Sequence, residues 1–94
     1  MSVRRLRFLG SGGSTGVPAM TCSCPVCQSQ DPKNQRLRPS ALLEMDGKTL
    51  LIDPGPDLRQ QALAAQIKAL DGVLITHTHY DHIGGLDDLR IFYF

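Results

Sequence analysis

The first patterned segment of the chain alternates charged and apolar side chains. Between residues 3 and 9, Arg5 and Arg7 alternate with Leu6 and Phe8. Successive side chains of a β-strand point to opposite faces, so the alternation predicts a half-buried strand, the first of a sheet.

Two further apolar runs follow closely on one another. Residues 40–45 and 48–53 are separated by Asp46-Gly47, and an Asp-Gly pair between apolar runs is the strongest short signal for a β-hairpin. The prolines of residues 54–56 end the second strand, because proline fixes its own φ and lacks an N–H. The polar, proline-bounded residues 31–39 predict a loop before the hairpin.

Residues 57–75 have the pattern of a helix followed by a strand. Asp57 is a good N-cap for a helix that runs to about Leu70. Its apolar stripe, which we expect to face the core, consists of Leu63, Ile67 and Leu70. Asp71-Gly72 ends the helix, and residues 73–75 predict a buried strand. Together with the strand before it, this segment predicts a β-helix-β unit with the helix on one sheet face.

Composition and charge are those of an ordinary folded domain. The chain is 41% hydrophobic and 20% charged, and its net charge of +1 is too small to favour nucleic acid or membrane by itself. Residues 1–38 are rich in arginine and contain a single acid, Asp31. This basic third suits an anionic substrate, and a solvated strand face with a basic loop explains it equally.

No apolar run suggests a membrane span or a secretory signal, so we expect a cytoplasmic protein.

The chemistry-bearing residues concentrate directly after residue 75. All three histidines of the chain are there, and Asp81 precedes the last of them. While the chain stays extended, His77 and His79 point the same way, so two imidazoles can close on one cation. Asp81 and His82 lie on the following turn and diverge, so one of them can face a second cation. The spacing predicts a binuclear metal site; ordinary surface or core histidines are the alternative.

Three cysteines form a second candidate cluster. Cys22, Cys24 and Cys27 fall within six residues of a segment with little periodicity. Without a secretory signal, such spacing favours a metal over a disulfide framework. Structural zinc takes four ligands, so a fourth must come from elsewhere in the protein. Unpaired loop cysteines are the alternative.

The segment from His77 to His82 resembles the His-x-His-x-Asp-His signature of the metallo-β-lactamase superfamily of metal-dependent hydrolases. The resemblance implies an α/β fold, the N-terminal half of an αβ/βα sandwich, with residues 1–94 as one truncated domain. It also implies that His77 and His79 bind a first metal, and Asp81 and His82 a second. The superfamily's remaining ligands lie downstream, so we expect the chain to be an N-terminal piece that is inactive alone.

A glycine-rich first loop, residues 10–16, followed by the three cysteines makes the chain similar to the cyclic-phosphate phosphodiesterases of phosphonate degradation. A quinone-cofactor biosynthesis protein of the superfamily has similar cysteines. The implied partner is a small anionic substrate, a cyclic or ribose-linked phosphodiester. The alternatives are a ribonuclease Z-like nuclease, with nucleic acid as a less favoured partner, and a catalytically incompetent metal-binding fragment. The oligomeric state is open, with a homodimer among the options.

The resemblance implies three zinc ions, two at the hydrolytic site and one structural ion at Cys22, Cys24 and Cys27. Imidazole and carboxylate ligands also suit manganese or iron at the hydrolytic site. Two cations sharing a water lower its pKa towards neutrality, and Asp81 would bind metal, orient that water and accept its proton. The resemblance also implies that Asp53, at a strand end, supports the metal-binding loop through hydrogen bonds.

Overall fold

The computed structural model describes residues 4–93, in which four strands form one sheet of order β1-β2-β3-β4. The strands are β1 (Arg4–Gly10), β2 (Ser40–Met45), β3 (Lys48–Ile52) and β4 (Gly72–Leu74). Strand β2 runs antiparallel to both β1 and β3, and β4 runs parallel to β3. The helices are α1 (Leu58–Ala65), the single turn α2 (Tyr80–Ile83) and two 3₁₀ helices, Pro32–Asn34 and Leu86–Tyr93.

The predicted hairpin is confirmed, and its turn explains why it forms. Strands β2 and β3 pair up to Met45 and Lys48, with two residues between them. Asp46 has a φ of 53° and Gly47 a φ of 76°. Two consecutive residues with positive φ are what a type I′ turn requires, and its twist matches that of the strands.

The predicted β-helix-β unit is also confirmed, because β3 and β4 are parallel and α1 connects them. The helix packs on one face of the sheet, where Leu42, Leu51 and Leu58 are no more than 2% exposed. Burying a leucine side chain contributes about 1.5–3 kcal/mol, so these three residues supply much of the stability of a small core.

The helix predicted to run from Asp57 to about Leu70 ends earlier in the structure, so its predicted C-terminal end is wrong. Helix α1 stops at Ala65, because Gln66 adopts a left-handed conformation (φ 56°) and its N–H bonds the carbonyls of the last turn. Leu63 is consequently 62% exposed rather than part of the core. Ile67 and Leu70 do pack against the core, but from the segment after the helix. Asp57 holds the N-cap position without a capping hydrogen bond from its side chain.

Strand β1 is half-buried, as predicted, but the covered face is the one that carries its arginines. Arg7 pairs with Leu42, and Leu42 with Leu51, so Arg7 lies on the sheet face that α1 covers. Leu6 and Phe8 lie on the opposite face and are 52% and 76% exposed. Within residues 4–93 no element covers that face, as expected for half of a two-sheet sandwich. Val3, the predicted start of the strand, lies outside the described residues.

Strand β4 is shorter and more exposed than its apolar sequence predicts. It lies at the edge of the sheet and spans three residues. Leu74 and Ile75 are 51% and 47% exposed. Leu74 pairs with Ile52 and lies on the sheet face opposite α1, whereas Val73 packs against the core. The segment after the metal motif, Leu86–Tyr93, is a 3₁₀ helix. None of the helices in residues 4–93 has the length and apolar character needed to cross a membrane.

Candidate metal centre

The predicted metal motif lies on a loop that leaves β4 and ends in one helical turn. Strand β4 ends at Leu74, and His79 is the extended N-cap residue of α2 (φ −67°, ψ 150°). His77 and His79 therefore lie on the loop, and Asp81 and His82 on the helical turn. The loop is exposed, whereas the side chains of Asp81 and His82 are 14% and 15% exposed.

Asp53 fixes this loop to the end of β3. It is only 4% exposed, and its carboxylate accepts hydrogen bonds from the Thr76 N–H (2.7 Å), the Thr76 hydroxyl (2.7 Å) and His82 Nδ1 (2.6 Å). Its own N–H donates to the Leu74 carbonyl at 2.8 Å. The hydrogen bonds predicted for Asp53 are thus present. Thr76, which the sequence analysis did not single out, is their main donor. The feature that could have identified it is a hydroxyl residue directly before the first histidine of the motif.

Opposing effects act on the pKa of the Asp53 carboxyl. Burial works to raise that pKa, but the Thr76 N–H, the Thr76 hydroxyl and the His82 ring outweigh it, and the pKa lies below its ordinary value. Asp53 therefore stays an ionised acceptor. Its backbone φ of 62° is in the left-handed region, which Asp tolerates better than most residues.

Three of the four predicted ligands converge. His77, Asp81 and His82 each offer one donor atom, and these atoms all lie within 4.8 Å of one another. His82 Nε2 is 3.1 Å from Asp81 Oδ2, and the ring centroids of His77 and His82 are 3.8 Å apart. Two imidazole nitrogens and a carboxylate oxygen are a donor set that suits zinc, so the residues present fit the implied metal.

The grouping of the ligands differs from the prediction. His77 joins Asp81 and His82, whereas His79 is not part of this group. The His79 ring stands edge-on to His77, with centroids 4.8 Å apart and an interplanar angle of 85°. The two rings therefore lie next to each other, but His79 offers no donor atom to the group of His77, Asp81 and His82.

Two glycines let the loops of the site approach each other. A Cβ on Gly85 would overlap the carbonyl oxygen of Gly55, and a Cβ on Gly55 would lie 2.7 Å from the Asp81 carbonyl oxygen. The Gly85 N–H donates to the Pro54 carbonyl at 2.9 Å. These glycines hold the turn after β3 against α2, so they position the metal motif through close backbone packing.

The three cysteines converge at a second place. Their Sγ atoms lie within 4.8 Å of one another. The Cys27 N–H, together with the thiols of Cys22 and Cys27, lowers the pKa of Cys24 from 9.0 to about 7. The Ala19 N–H works to lower the pKa of Cys27, but Cys22, Cys24 and burial outweigh it and raise that pKa. A thiolate is the metal-binding form of cysteine, so Cys24 is prepared to bind a metal.

The arginines of the basic N-terminal third are largely paired within the chain. Arg5 contacts both carboxylate oxygens of Glu44 at 3.0 and 2.8 Å, and Arg7 lies 3.4 Å from the same carboxylate. Arg38 lies 3.4 Å from Asp57. These pairs favour the solvated strand face over a substrate-binding surface as the explanation of the basic residues.

Sequence comparison places these features in a known class. The family profile described as the metallo-beta-lactamase superfamily matches residues 35–91, which is more than half of the chain. The chain therefore belongs to the metallo-beta-lactamase superfamily, and the family and α/β fold class predicted from the sequence are confirmed.

Three relatives define the match more closely. An octanoyltransferase of Porphyromonas gingivalis is 59% identical over 87 residues, which are 92% of this chain and 18% of that protein. The crystal structure of a new diphosphatase from the PhnP family is 54% identical, with a TM-score of 0.92, over 95% of this chain and 35% of that chain. Zn²⁺-bound PqqB from Methylobacterium extorquens is 32% identical, with a TM-score of 0.77, over 96% of this chain and 36% of that chain.

The chain thus spans about a third of the length of these two solved structures. It matches less than a fifth of the octanoyltransferase, whose name describes that whole protein. The similarity to the PhnP-family diphosphatase agrees with the phosphodiesterase group that the sequence resembles.

Proposed function

We propose that the protein is a metal-dependent phosphodiesterase that acts on a small anionic substrate with a cyclic or ribose-linked phosphate. The convergence of His77, on the exposed loop, with Asp81 and His82, on α2, carries this proposal, because their donor atoms lie within 4.8 Å of one another. The similarity to a PhnP-family diphosphatase supports chemistry at phosphorus. The superfamily to which the chain belongs makes hydrolysis the reaction type.

Each side chain of the group has a role that follows from its chemistry. His77 and His82 would hold a divalent metal through ring nitrogens, and Asp81 through a carboxylate oxygen. A bound zinc ion lowers the pKa of water and supplies positive charge where phosphoryl oxygens gain negative charge. Asp81 also orients the attacking water and accepts its proton. The exposure of His77 leaves the site open to substrate, as a catalytic site requires.

The proposal includes a second metal at this site and a third at the cysteines. His79 lies beside His77, with ring centroids 4.8 Å apart, and would be a ligand at this site. Cys22, Cys24 and Cys27 would hold a structural zinc, together with a fourth ligand from another part of the protein. We therefore expect about three metals per chain in the full-length protein, and no activity from residues 1–94 alone.

The test compares two carboxylates in that zinc-loaded protein, with bis(p-nitrophenyl) phosphate as substrate. Asp81→Ala should lower kcat by about 10²–10⁴-fold, the usual contribution of a positioned acid or base. Asp87→Ala is the control, because Asp87 is exposed and its one ion pair within residues 4–93 is with Arg90, at 4.0 Å. A near-wild-type rate for Asp81→Ala would contradict the proposal.

Two other outcomes identify the alternatives. Cleavage of RNA without hydrolysis of small phosphodiesters would replace the proposal with a ribonuclease Z-like nuclease. Stoichiometric zinc binding without hydrolysis of either substrate would replace it with a non-catalytic metal-binding protein.

A further inference from the structure

The Thr76 hydroxyl lies between the Asp53 carboxylate and two of the candidate metal ligands. Its oxygen is 2.7 Å from Asp53 Oδ2, 3.2 Å from His77 Nδ1 and 3.4 Å from His82 Nδ1. A hydroxyl group has one hydrogen to donate and two lone pairs that accept. The three contacts therefore determine where the hydrogens lie.

The hydroxyl hydrogen belongs to the bond with Asp53. An ionised carboxylate can only accept hydrogen bonds, and the 2.7 Å distance is that of an O–H donor to a carboxylate oxygen. Once this hydrogen is used, the Thr76 oxygen can only accept from its other neighbours.

His82 donates its Nδ1 hydrogen to the same carboxylate. The distance from His82 Nδ1 to Asp53 Oδ2 is 2.6 Å, much shorter than the 3.4 Å to the Thr76 oxygen. With its hydrogen on Nδ1, His82 has Nε2, the nitrogen 3.1 Å from Asp81 Oδ2, as the atom that would bind a metal.

The remaining neighbour of the Thr76 oxygen is His77 Nδ1, at 3.2 Å. This contact is a hydrogen bond only if Nδ1 carries the hydrogen, because the hydroxyl has none left to give. A neutral His77 then has its lone pair on Nε2. Histidines that bind metals generally donate their other ring N–H to a partner that fixes the tautomer.

We propose that Thr76 is a positioning residue that holds His77 in the Nδ1–H tautomer and so presents His77 Nε2 to the metal. One buried carboxylate then orients both histidines, His82 directly and His77 through the Thr76 hydroxyl. The tautomer is a property of the metal-free protein; only its use in metal binding rests on the proposed function.

The first test is ¹H–¹⁵N spectroscopy of the histidine rings in the metal-free protein at about pH 8, where an ordinary histidine is neutral. The wild type and Thr76→Ser should show His77 with its hydrogen on Nδ1, whereas Thr76→Val should lose this preference. His79, which makes no hydrogen bond through its ring within residues 4–93, is the internal control and should not change. Circular dichroism checks that both variants fold.

The second test is zinc affinity, measured by calorimetry. Thr76→Val should weaken binding about 10–100-fold, the usual effect of removing such a partner, and Thr76→Ser should restore it. A wild-type His77 with its hydrogen on Nε2 overturns the inference even if Thr76→Val fails to fold. Equal zinc affinity of Thr76→Ser and Thr76→Val also overturns it. A protein with the expected tautomers that binds no zinc overturns the hydrolase proposal and leaves the tautomer assignment intact.

Discussion

Replacing Asp53 with Asn is the most informative perturbation of the framework around the metal motif. The substitution keeps the size of the side chain but exchanges one acceptor oxygen for an NH₂ group. In wild type one oxygen faces the Thr76 N–H, and the other faces both the Thr76 hydroxyl and His82 Nδ1. Whichever way the amide is turned, its NH₂ group opposes at least one donor.

The expected loss follows from the burial of the site and the charge that is removed. A hydrogen bond to a charged group contributes about 1.5–3 kcal/mol, and a buried donor left without a partner costs a similar amount. The Thr76 hydroxyl can rotate and accept from the amide, so about one charge-assisted bond is lost in full. We therefore expect Asp53→Asn to lower the free energy of unfolding by about 1.5–3 kcal/mol.

Urea denaturation followed by circular dichroism measures this change. Asp71→Asn is the matched control, because Asp71 is exposed and its carboxylate accepts one N–H, from Thr49 at 2.7 Å. An amide oxygen can replace that acceptor, so we expect a loss below about 1 kcal/mol. If the two variants lose the same stability, Asp53 does not hold the loop in the way described here.

Three further predictions concern other parts of the chain. Arg5 holds the pKa of Glu44 below its ordinary value, so this pair stabilises the fold at pH values above the pKa of Glu44 in the unfolded chain. The stabilisation is lost as the pH falls through the pKa of Glu44 in the folded protein. Glu44→Gln should therefore reduce the drop in Tm between pH 7 and pH 3, and an unchanged drop would refute the pairing. Gly85→Ala should destabilise the protein by about 1–3 kcal/mol in urea denaturation, since its Cβ would meet a backbone oxygen, whereas Gly13→Ala, with open space around it, should be neutral. Cys24→Ser should remove one zinc per chain in elemental analysis, and an unchanged zinc content would eliminate the thiol site.

Local signals in the sequence were sufficient for the hairpin and for the β-helix-β unit. The Asp46-Gly47 turn needs positive φ at two residues, and Asp and Gly are residue types that adopt positive φ readily. The end of α1 carries no such signal, because Gln66 takes the left-handed position that glycine usually fills. The extent of a helix is then decided by packing around it.

Which face of a strand is buried depends on what covers it. The alternation in β1 correctly predicted a strand, but not that α1 would cover the face of Arg7 and leave Leu6 and Phe8 exposed. The arginines are accommodated because Glu44, on the neighbouring strand, pairs with Arg5 and Arg7. That pairing depends on strand register, which a single sequence does not contain.

The metal motif shows the same division between local and non-local information. The positions of His77, Asp81 and His82 follow from spacing within six residues. Their support by Asp53 was expected from the family resemblance, but the part played by Thr76 requires the parallel pairing that brings the ends of β3 and β4 together. The sequence did not predict that His79 would be the N-cap residue of α2 and lie outside the group.

The most direct test of the metal centre is anomalous diffraction at the zinc edge from crystals of the zinc-loaded protein. The account predicts a zinc peak about 2.0–2.2 Å from nitrogens of His77 and His82 and from a carboxylate oxygen of Asp81. Zinc found only at the cysteines, with the imidazoles of the loop turned away from one another, would contradict it.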